Sequence, residues 1–123
     1  MTRINCVPVT ELSGPHLVAE YRELPRVYAL AEAAMLRGVQ PDSLPQTYVL
    51  GTGHVQFFYA RLGYVTERHD QLIHEMLRRG YKPTWLDVPL LTEFPKLWRR
   101  GWEPDEGSLA LNRARIAERS RAR

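Results

Sequence analysis

The amino terminus of the sequence offers a nucleophile. Met1 is followed by Thr2, which is small enough for a cytosolic aminopeptidase to remove the methionine, and then by Arg3. An α-amino group has a pKa of about 7.7–8.0, against about 10.4 for a lysine side chain, so much of it is uncharged and nucleophilic at neutral pH. The chain has only two lysines, Lys82 and Lys96. The amine of Thr2 is therefore the favoured amine for Schiff-base chemistry.

A second group of charged residues consists of Arg22, Glu23 and Arg26. The two arginines are four residues apart, so on one helix their like charges face the same way and destabilise it by about 0.2–0.5 kcal/mol. An anion bound between them would reverse the sign of that interaction. A solvated helix face with a Glu23–Arg26 pair is the alternative interpretation.

The net charge of +3 is concentrated at the carboxyl end of the chain. Residues 113–123 hold five arginines against one acidic residue, Glu118, and include Arg115 and Arg119 four residues apart. The planar guanidinium binds phosphate through two hydrogen bonds, so a basic set made mainly of arginine favours a nucleic acid as partner. A GC-rich genome also raises the arginine content, so this signal is weak when taken alone.

Other function classes find little support in the sequence. No stretch approaches the roughly 18 apolar residues of a membrane span, and residues 1–12 lack the apolar centre of a signal peptide, so we expect a cytoplasmic protein. The lone Cys6 is expected to be a small buried hydrophobe. His69 and His74 are five residues apart and lie on different helix faces, which disfavours a metal pair. The short Gly51-Thr52-Gly53 run predicts a turn and a helix start.

The first helical pattern runs from about Pro15 to Arg37, with apolar residues at three- and four-residue spacing. Pro25 lies inside this pattern and removes one backbone hydrogen bond. We therefore expect a single helix that bends at Pro25.

Two further helical patterns follow. One begins after Gly53 and stops at Gly80, behind Arg78 and Arg79, which is typical of a helix end. The other starts near Ser108 and places Arg115 and Arg119 on its outer face, with Ile116 facing inward.

The segments between the helices read as loops rich in proline and glycine. Residues 37–46 and 82–104 carry six of the nine prolines, and no segment alternates in the manner of a strand. Phe57 and Phe58 are expected in the core. Trp98 and Trp102 flank two arginines and are expected to pack, with stacking on bases as the alternative. The sequence thus predicts a compact all-α fold, a single domain over residues 1–123.

Several runs of the sequence resemble the pyrimidine-dimer DNA glycosylase family of the bacteriophage endonuclease V type. The likeness extends in register from Thr2 to about Arg119. Its clearest segments are Thr2-Arg3-Ile4-Asn5, His16-Leu17, Ala19-Glu20-Tyr21-Arg22-Glu23-Leu24-Pro25-Arg26-Val27 and Leu50-Gly51-Thr52-Gly53-His54-Val55-Gln56-Phe57-Phe58-Tyr59.

The resemblance implies a small helical enzyme that excises a damaged pyrimidine and then nicks the DNA strand as an abasic-site lyase. The amine of Thr2 would attack C1′ of the deoxyribose and form a protonated imine. Glu23 would stabilise the positive charge at the sugar and then help to remove the C2′ proton. The implied reaction needs no metal and no cofactor, and its substrate is damaged double-stranded DNA, bound by a monomer.

The resemblance also implies how the DNA is held. The family's phosphate-binding arginines correspond to Arg3, Arg22 and Arg26, and basic residues that contact the DNA backbone correspond to Arg115 and Arg119. His16 matches a residue near the abasic sugar. Family members kink the duplex and flip a base opposite the lesion into a protein pocket.

The sequence departs from the phage-type pattern in two places. It ends at Arg123 without the aromatic and lysine-bearing tail implicated in recognising the dimer, and residues 37–46 lack a basic cluster. Two alternatives to a dimer glycosylase therefore stay open. One is an enzyme of the same mechanism that acts on another base lesion or mainly on abasic sites, and the other is a non-catalytic DNA-binding relative.

Overall fold

The computed structural model describes residues 3–121, and this range is helical. Its five α-helices are α1 (Gly14–Glu23), α2 (Arg26–Leu36), α3 (His54–Phe57), α4 (Leu62–Arg78) and α5 (Glu106–Arg121). Within the described range there is no β-strand, and Arg61 and Arg99 form one isolated bridge. The predicted all-α class is confirmed. None of the helices in this range is long and apolar enough to cross a membrane.

The predicted first helix is divided into two at Pro25. The side chain of Ser13 caps α1 by accepting a hydrogen bond from the His16 amide. Proline has no amide hydrogen, so the helical ladder is interrupted there. Leu24 and Pro25 keep right-handed helical dihedrals, and the Val27 amide donates to the Leu24 carbonyl in a tighter turn. The predicted bend at Pro25 therefore takes the form of this tighter turn, at which α1 ends and α2 begins.

The second predicted pattern also forms two helices. Gly53 precedes α3 with a φ of 90°, and Gly51 has a φ of 75°, values that favour glycine because it has no Cβ. The turn predicted at these glycines is confirmed. Helix α4 then carries the long apolar stripe as far as Arg78. The third predicted helix starts earlier than expected, because Asp105 accepts a hydrogen bond from the Ser108 amide at 2.7 Å.

Phe57 and Phe58 are buried, as predicted, and form the centre of an aromatic cluster. Trp102 stacks on Tyr48 and meets both phenylalanines edge to face. Trp98 is buried as well, so packing is confirmed for both tryptophans. Such edge-to-face and stacked pairs add stability beyond the area that they bury.

Residues 3–7 form an extended segment that runs through the core without a strand partner. Ile4 and Val7 are fully buried. Buried backbone groups need hydrogen-bond partners, and here side chains supply them. The Ile4 amide donates to Nε2 of His54 at 2.9 Å, and the Tyr64 hydroxyl donates to the Asn5 carbonyl at 3.0 Å.

Asn112 on α5 holds the other end of this segment. Its Oδ1 accepts hydrogen bonds from the amides of Cys6 and Val7, at 2.7 and 3.1 Å, and its Nδ2 donates to the side chain of Asn5 at 2.8 Å. The side chain of Asn112 is fully buried. Burial raises the pKa of the Cys6 thiol to about 11, so this residue is the neutral buried group that the sequence predicts.

A buried ion pair joins α1 and α4 beneath the segment. Nε of Arg68 donates to Oε2 of Glu20 at 2.8 Å, and both side chains are almost completely buried. Arg68 also donates to the Val7 carbonyl, and Asn5 donates to Glu20. Removing one partner of such a pair would leave an uncompensated buried charge, so the pair fixes where α1, α4 and the segment meet.

Asn112→Ala is expected to lower the free energy of unfolding by about 2–4 kcal/mol, because two buried amides lose their acceptor and each costs about 1–3 kcal/mol. Leu111→Ala, at an exposed neighbouring position of α5, is the matched control and should change it by less than about 0.5 kcal/mol. Urea denaturation of both variants measures the difference. Equal stabilities for the two would contradict the role of Asn112.

Candidate active site

A cavity of about 450 Å³ lies between the amino-terminal segment, α1 and α5. Five of the site residues predicted from the sequence line it. Its wall consists of Arg3, Asn5, His16, Ala19, Glu20, Glu23, Arg115, Ile116, Glu118 and Arg119. The structure therefore brings together residues that are more than 100 positions apart in the sequence.

Helix α1 supplies the cavity wall from one face. His16, Glu20 and Glu23 follow one another at four- and three-residue spacing, so they lie on the same side of the helix. The two carboxylates have different environments. Glu20 is buried and is bound by Arg68 and Asn5, whereas Glu23 is partly exposed at the end of α1. Glu23 is thus the carboxylate of this face that remains accessible for chemistry.

Glu23 is joined directly to the amino-terminal segment. Its Oε1 accepts a hydrogen bond from the backbone amide of Arg3 at 3.1 Å. Thr2 itself lies outside the described residues. In the covalent chain, only the Cα and the carbonyl carbon of Thr2 separate its α-amino nitrogen from the Arg3 amide nitrogen. The amide that contacts Glu23 is therefore the one that directly follows Thr2.

The cavity wall carries three arginines, Arg3, Arg115 and Arg119, beside the carboxylates of Glu20, Glu23 and Glu118. Burial, followed by the charges of Arg119 and Arg115, lowers the pKa of Arg3, while Glu23 acts in the opposite direction. Nη1 of Arg3 is buried and has no hydrogen-bond partner in the described part of the chain. Buried donors of this kind favour an anionic ligand, because an anion supplies both the missing acceptor and the opposite charge.

Helix α5 contributes to the cavity through its inner edge. Arg115 is half-buried and Ile116 is packed against the core, while Arg119 is more exposed. The sequence placed both arginines on the outer face of the helix. The structure places them along the cavity wall, because the end of α5 extends beyond Asn112 and over the amino-terminal segment.

Arg22 and Arg26 do not line this cavity. Arg22 lies on α1 and Arg26 is the first residue of α2, so the break at Pro25 separates them. Both side chains are exposed, and Arg22 lines a second cavity of about 650 Å³, which shares no lining residue with the first.

The second cavity has a tryptophan in its wall that the sequence analysis did not single out. Trp85 is 74% exposed. The hydroxyl of Tyr21 accepts from the Trp85 amide at 2.8 Å and donates to the Trp85 carbonyl at 3.0 Å, which holds the loop against α1. A lone tryptophan in an irregular loop carries no periodic signal, so only the tertiary contact with Tyr21 shows where it lies.

The two histidines of α4 have different environments. His69 is buried against the hydroxyl of Tyr28, and His74 is exposed beside Asp70. Among residues 3–121 there is no cluster of three or more histidine, cysteine, aspartate or glutamate side chains able to hold a metal ion.

Comparison with known protein families gives a match that agrees with this geometry. The model of the family described as pyrimidine dimer DNA glycosylase matches residues 1–87. The match covers the amino-terminal segment, helices α1–α4 and the loop that carries Trp85. Arg115 and Arg119 lie beyond it, and their place in the site rests on the cavity that they line.

The arrangement of Arg3, Arg115 and Arg119 predicts that inorganic phosphate binds in the first cavity. Phosphate should shift the NMR signals of these three guanidinium groups, and Arg119→Gln should weaken the binding at least about threefold, as expected for loss of one partly exposed charge. Arg37→Gln, at an exposed site after α2, is the control. If Arg119→Gln binds phosphate as tightly as that control does, the cavity is not the anion site.

Proposed function

Because the chain belongs to the pyrimidine dimer DNA glycosylase family, we propose that it excises cyclobutane pyrimidine dimers through the α-amine of Thr2 and then nicks the strand as an abasic-site lyase. The observation that carries this proposal is the 3.1 Å hydrogen bond between the Arg3 amide and Glu23 inside an arginine-lined cavity. It brings the backbone of Arg3, the residue that follows Thr2, to an accessible carboxylate and to arginines suited to binding phosphate.

The first chemical step replaces the base by the amine. After removal of Met1, the Thr2 nitrogen attacks C1′, and the glycosidic bond breaks as the base leaves with the bonding electrons and takes up a proton. The C1′–O4′ bond then opens, O4′ is protonated, and a protonated imine joins C1′ to the nitrogen. Glu23 stabilises the positive charge that develops at C1′, because its carboxylate is held beside the segment that carries the amine.

The second step cleaves the strand. Glu23 accepts a proton from C2′, the electrons of that C–H bond form a C=C bond, and the 3′ phosphate leaves with the electrons of the C3′–O bond. Hydrolysis of the imine returns the free amine. The residues of one chain complete this site, so the enzyme is proposed to act as a monomer, without a cofactor, in the cytoplasm where the initiator methionine is removed.

The basic residues divide between two parts of the DNA strand. Arg3, Arg115 and Arg119 bind the phosphates next to the sugar under attack, with His16 close to that sugar. Arg22 and Arg26, which are exposed and do not line this cavity, bind the backbone further along the strand. Holding the strand in this way keeps C1′ within reach of the amine, and such positioning is a large part of catalysis.

The second cavity is proposed to receive the extrahelical base that the family resemblance implies. It lies beside Arg22, and the exposed Trp85 in its wall offers an indole on which a base can stack. Hydrogen bonds with the Tyr21 hydroxyl hold the backbone of Trp85 against α1.

Borohydride trapping tests the mechanism. Borohydride reduces the imine to a stable crosslink, so the processed protein should be trapped on a duplex with one cyclobutane thymine dimer and on an abasic duplex, with the adduct mapped to Thr2. Trapping on the abasic duplex alone would reassign the substrate to another lesion or to abasic sites. Trapping on neither, with salt-dependent binding retained, would leave a non-catalytic DNA-binding protein.

Glu23→Gln should retain DNA binding and lower the excision rate by about 100-fold or more, because the amide keeps the hydrogen bond from Arg3 but carries no charge and cannot accept the C2′ proton. Glu32→Gln, an exposed site on α2, is the matched control. Single-turnover rates on the dimer duplex provide the measurement. A Glu23→Gln enzyme as fast as the control would refute the assignment of Glu23.

Trp85→Ala should weaken binding to the dimer duplex by about 10-fold, because base–aromatic stacking contributes about 1–3 kcal/mol per base. Leu90→Ala removes a more exposed apolar side chain of the same loop and should leave the affinity unchanged. Fluorescence anisotropy gives the Kd of each variant. Equal losses of affinity in the two would show that the loop, and not the indole, is what matters.

A further inference from the structure

His54 holds the backbone of the amino-terminal segment through its imidazole ring. It is the first residue of α3 and is 2% exposed. Its Nδ1 lies 2.9 Å from the Val49 carbonyl, and its Nε2 lies 2.9 Å from the Ile4 amide. A carbonyl oxygen only accepts and an amide only donates, so Nδ1 must carry the hydrogen and Nε2 must be the acceptor. Both contacts together specify one neutral tautomer.

We propose that His54 is a positioning residue for the excision reaction, acting through the backbone of Ile4. The amide of Ile4 is held by His54 and the next amide towards the terminus, that of Arg3, is held by Glu23. Two consecutive amides are therefore anchored at separate points, which fixes both the position and the direction of the backbone that leads to the amine. This inference rests on the proposed function, since it concerns the placement of the Thr2 amine.

Each of the two anchors constrains the other. With the Ile4 amide released, rotation about the backbone of residues 3 and 4 would move the Arg3 amide relative to Glu23, although the carboxylate itself stays in place. Tyr48 adds only a long contact to the Ile4 carbonyl, at 3.5 Å. The imidazole is thus the principal hydrogen-bond partner of Ile4 among the described side chains.

The surroundings keep the imidazole neutral. Burial is the main cause that lowers the pKa of His54, and the charges of Arg3 and Arg115 add to it, while Glu20 and the hydrogen bond to Val49 oppose it. The rings of Tyr48 and Phe58 pack against it edge to face. A protonated His54 would direct an N–H at the Ile4 N–H, so the contact needs the neutral imidazole. Because the pKa of His54 is lowered, the contact is lost only when the pH falls below the usual histidine range.

Three variants separate positioning from general stability. His54→Leu replaces the imidazole by an apolar side chain of similar size and so removes the acceptor. His54→Gln retains an acceptor at the same reach, and it does not titrate. Ile73→Ala, in the buried face of α4 and outside both cavities, is the control for a general loss of packing. The Tm of each variant is measured alongside its activity.

Two readouts apply to the processed protein with its free Thr2 amine. Hydrogen exchange should show the Ile4 amide protected in the wild type and in His54→Gln, and unprotected in His54→Leu. The single-turnover rate of imine trapping on an abasic duplex should fall about 10- to 100-fold in His54→Leu, as expected for a misplaced reacting group. The Kd for that duplex should change less than about threefold, because the arginines are untouched.

Each outcome decides the inference. Recovery of the trapping rate by His54→Gln, with Ile73→Ala close to the wild type, supports it. A His54→Leu rate equal to that of Ile73→Ala, or a His54→Gln rate as low as that of His54→Leu, overturns it. Failure of the wild type to form an adduct at Thr2 would refute the proposed function instead, and the exchange of the Ile4 amide would still show whether His54 holds the segment.

Discussion

The structure depends on how the chain satisfies the backbone of a buried extended segment that has no neighbouring strand. In a sheet, the amides and carbonyls of residues 3–7 would pair with another strand. Here they are paired with side chains that come from α1, α3, α4 and α5. Each of these helices must be in place for the segment to be buried, so the segment is the element that all four helices contact.

This arrangement explains why two carboxylates on one face of α1 have different tasks. Glu20 faces inward and is neutralised by Arg68, whose remaining donor binds the Val7 carbonyl. Glu23, one helical turn further, has its contact with the backbone of Arg3 and stays open to the cavity. The buried pair sets the orientation of α1, and that orientation determines where the accessible carboxylate lies. The buried charge pair thereby supports the placement of the accessible carboxylate.

The sequence allowed the helices to be predicted because their apolar periodicity and their ends are local properties, as at Gly53 and Gly80. Glu23 and the arginines could be named from the family resemblance, although Arg22 and Arg26 do not line the first cavity. The roles of Asn112 and Trp85 could not be predicted. Each depends on a hydrogen bond to a residue more than 60 positions away, and no local pattern records such a contact.

Helix α5 shows how closely folding and the site are linked. It lies outside the region matched by the family model, yet Asn112 joins it to the amino-terminal segment by hydrogen bonds. Arg115 and Arg119, one and two turns further along the helix, bring positive charge to the cavity. The buried amide group sets the helix at a fixed rotation and distance, and the helical repeat then places the two arginines beside Arg3. Asn112, which is not a candidate catalytic residue, therefore determines where the arginine charges that favour phosphate binding lie. The same logic applies to His54 at the other side of the segment, where its imidazole fixes the backbone at Ile4.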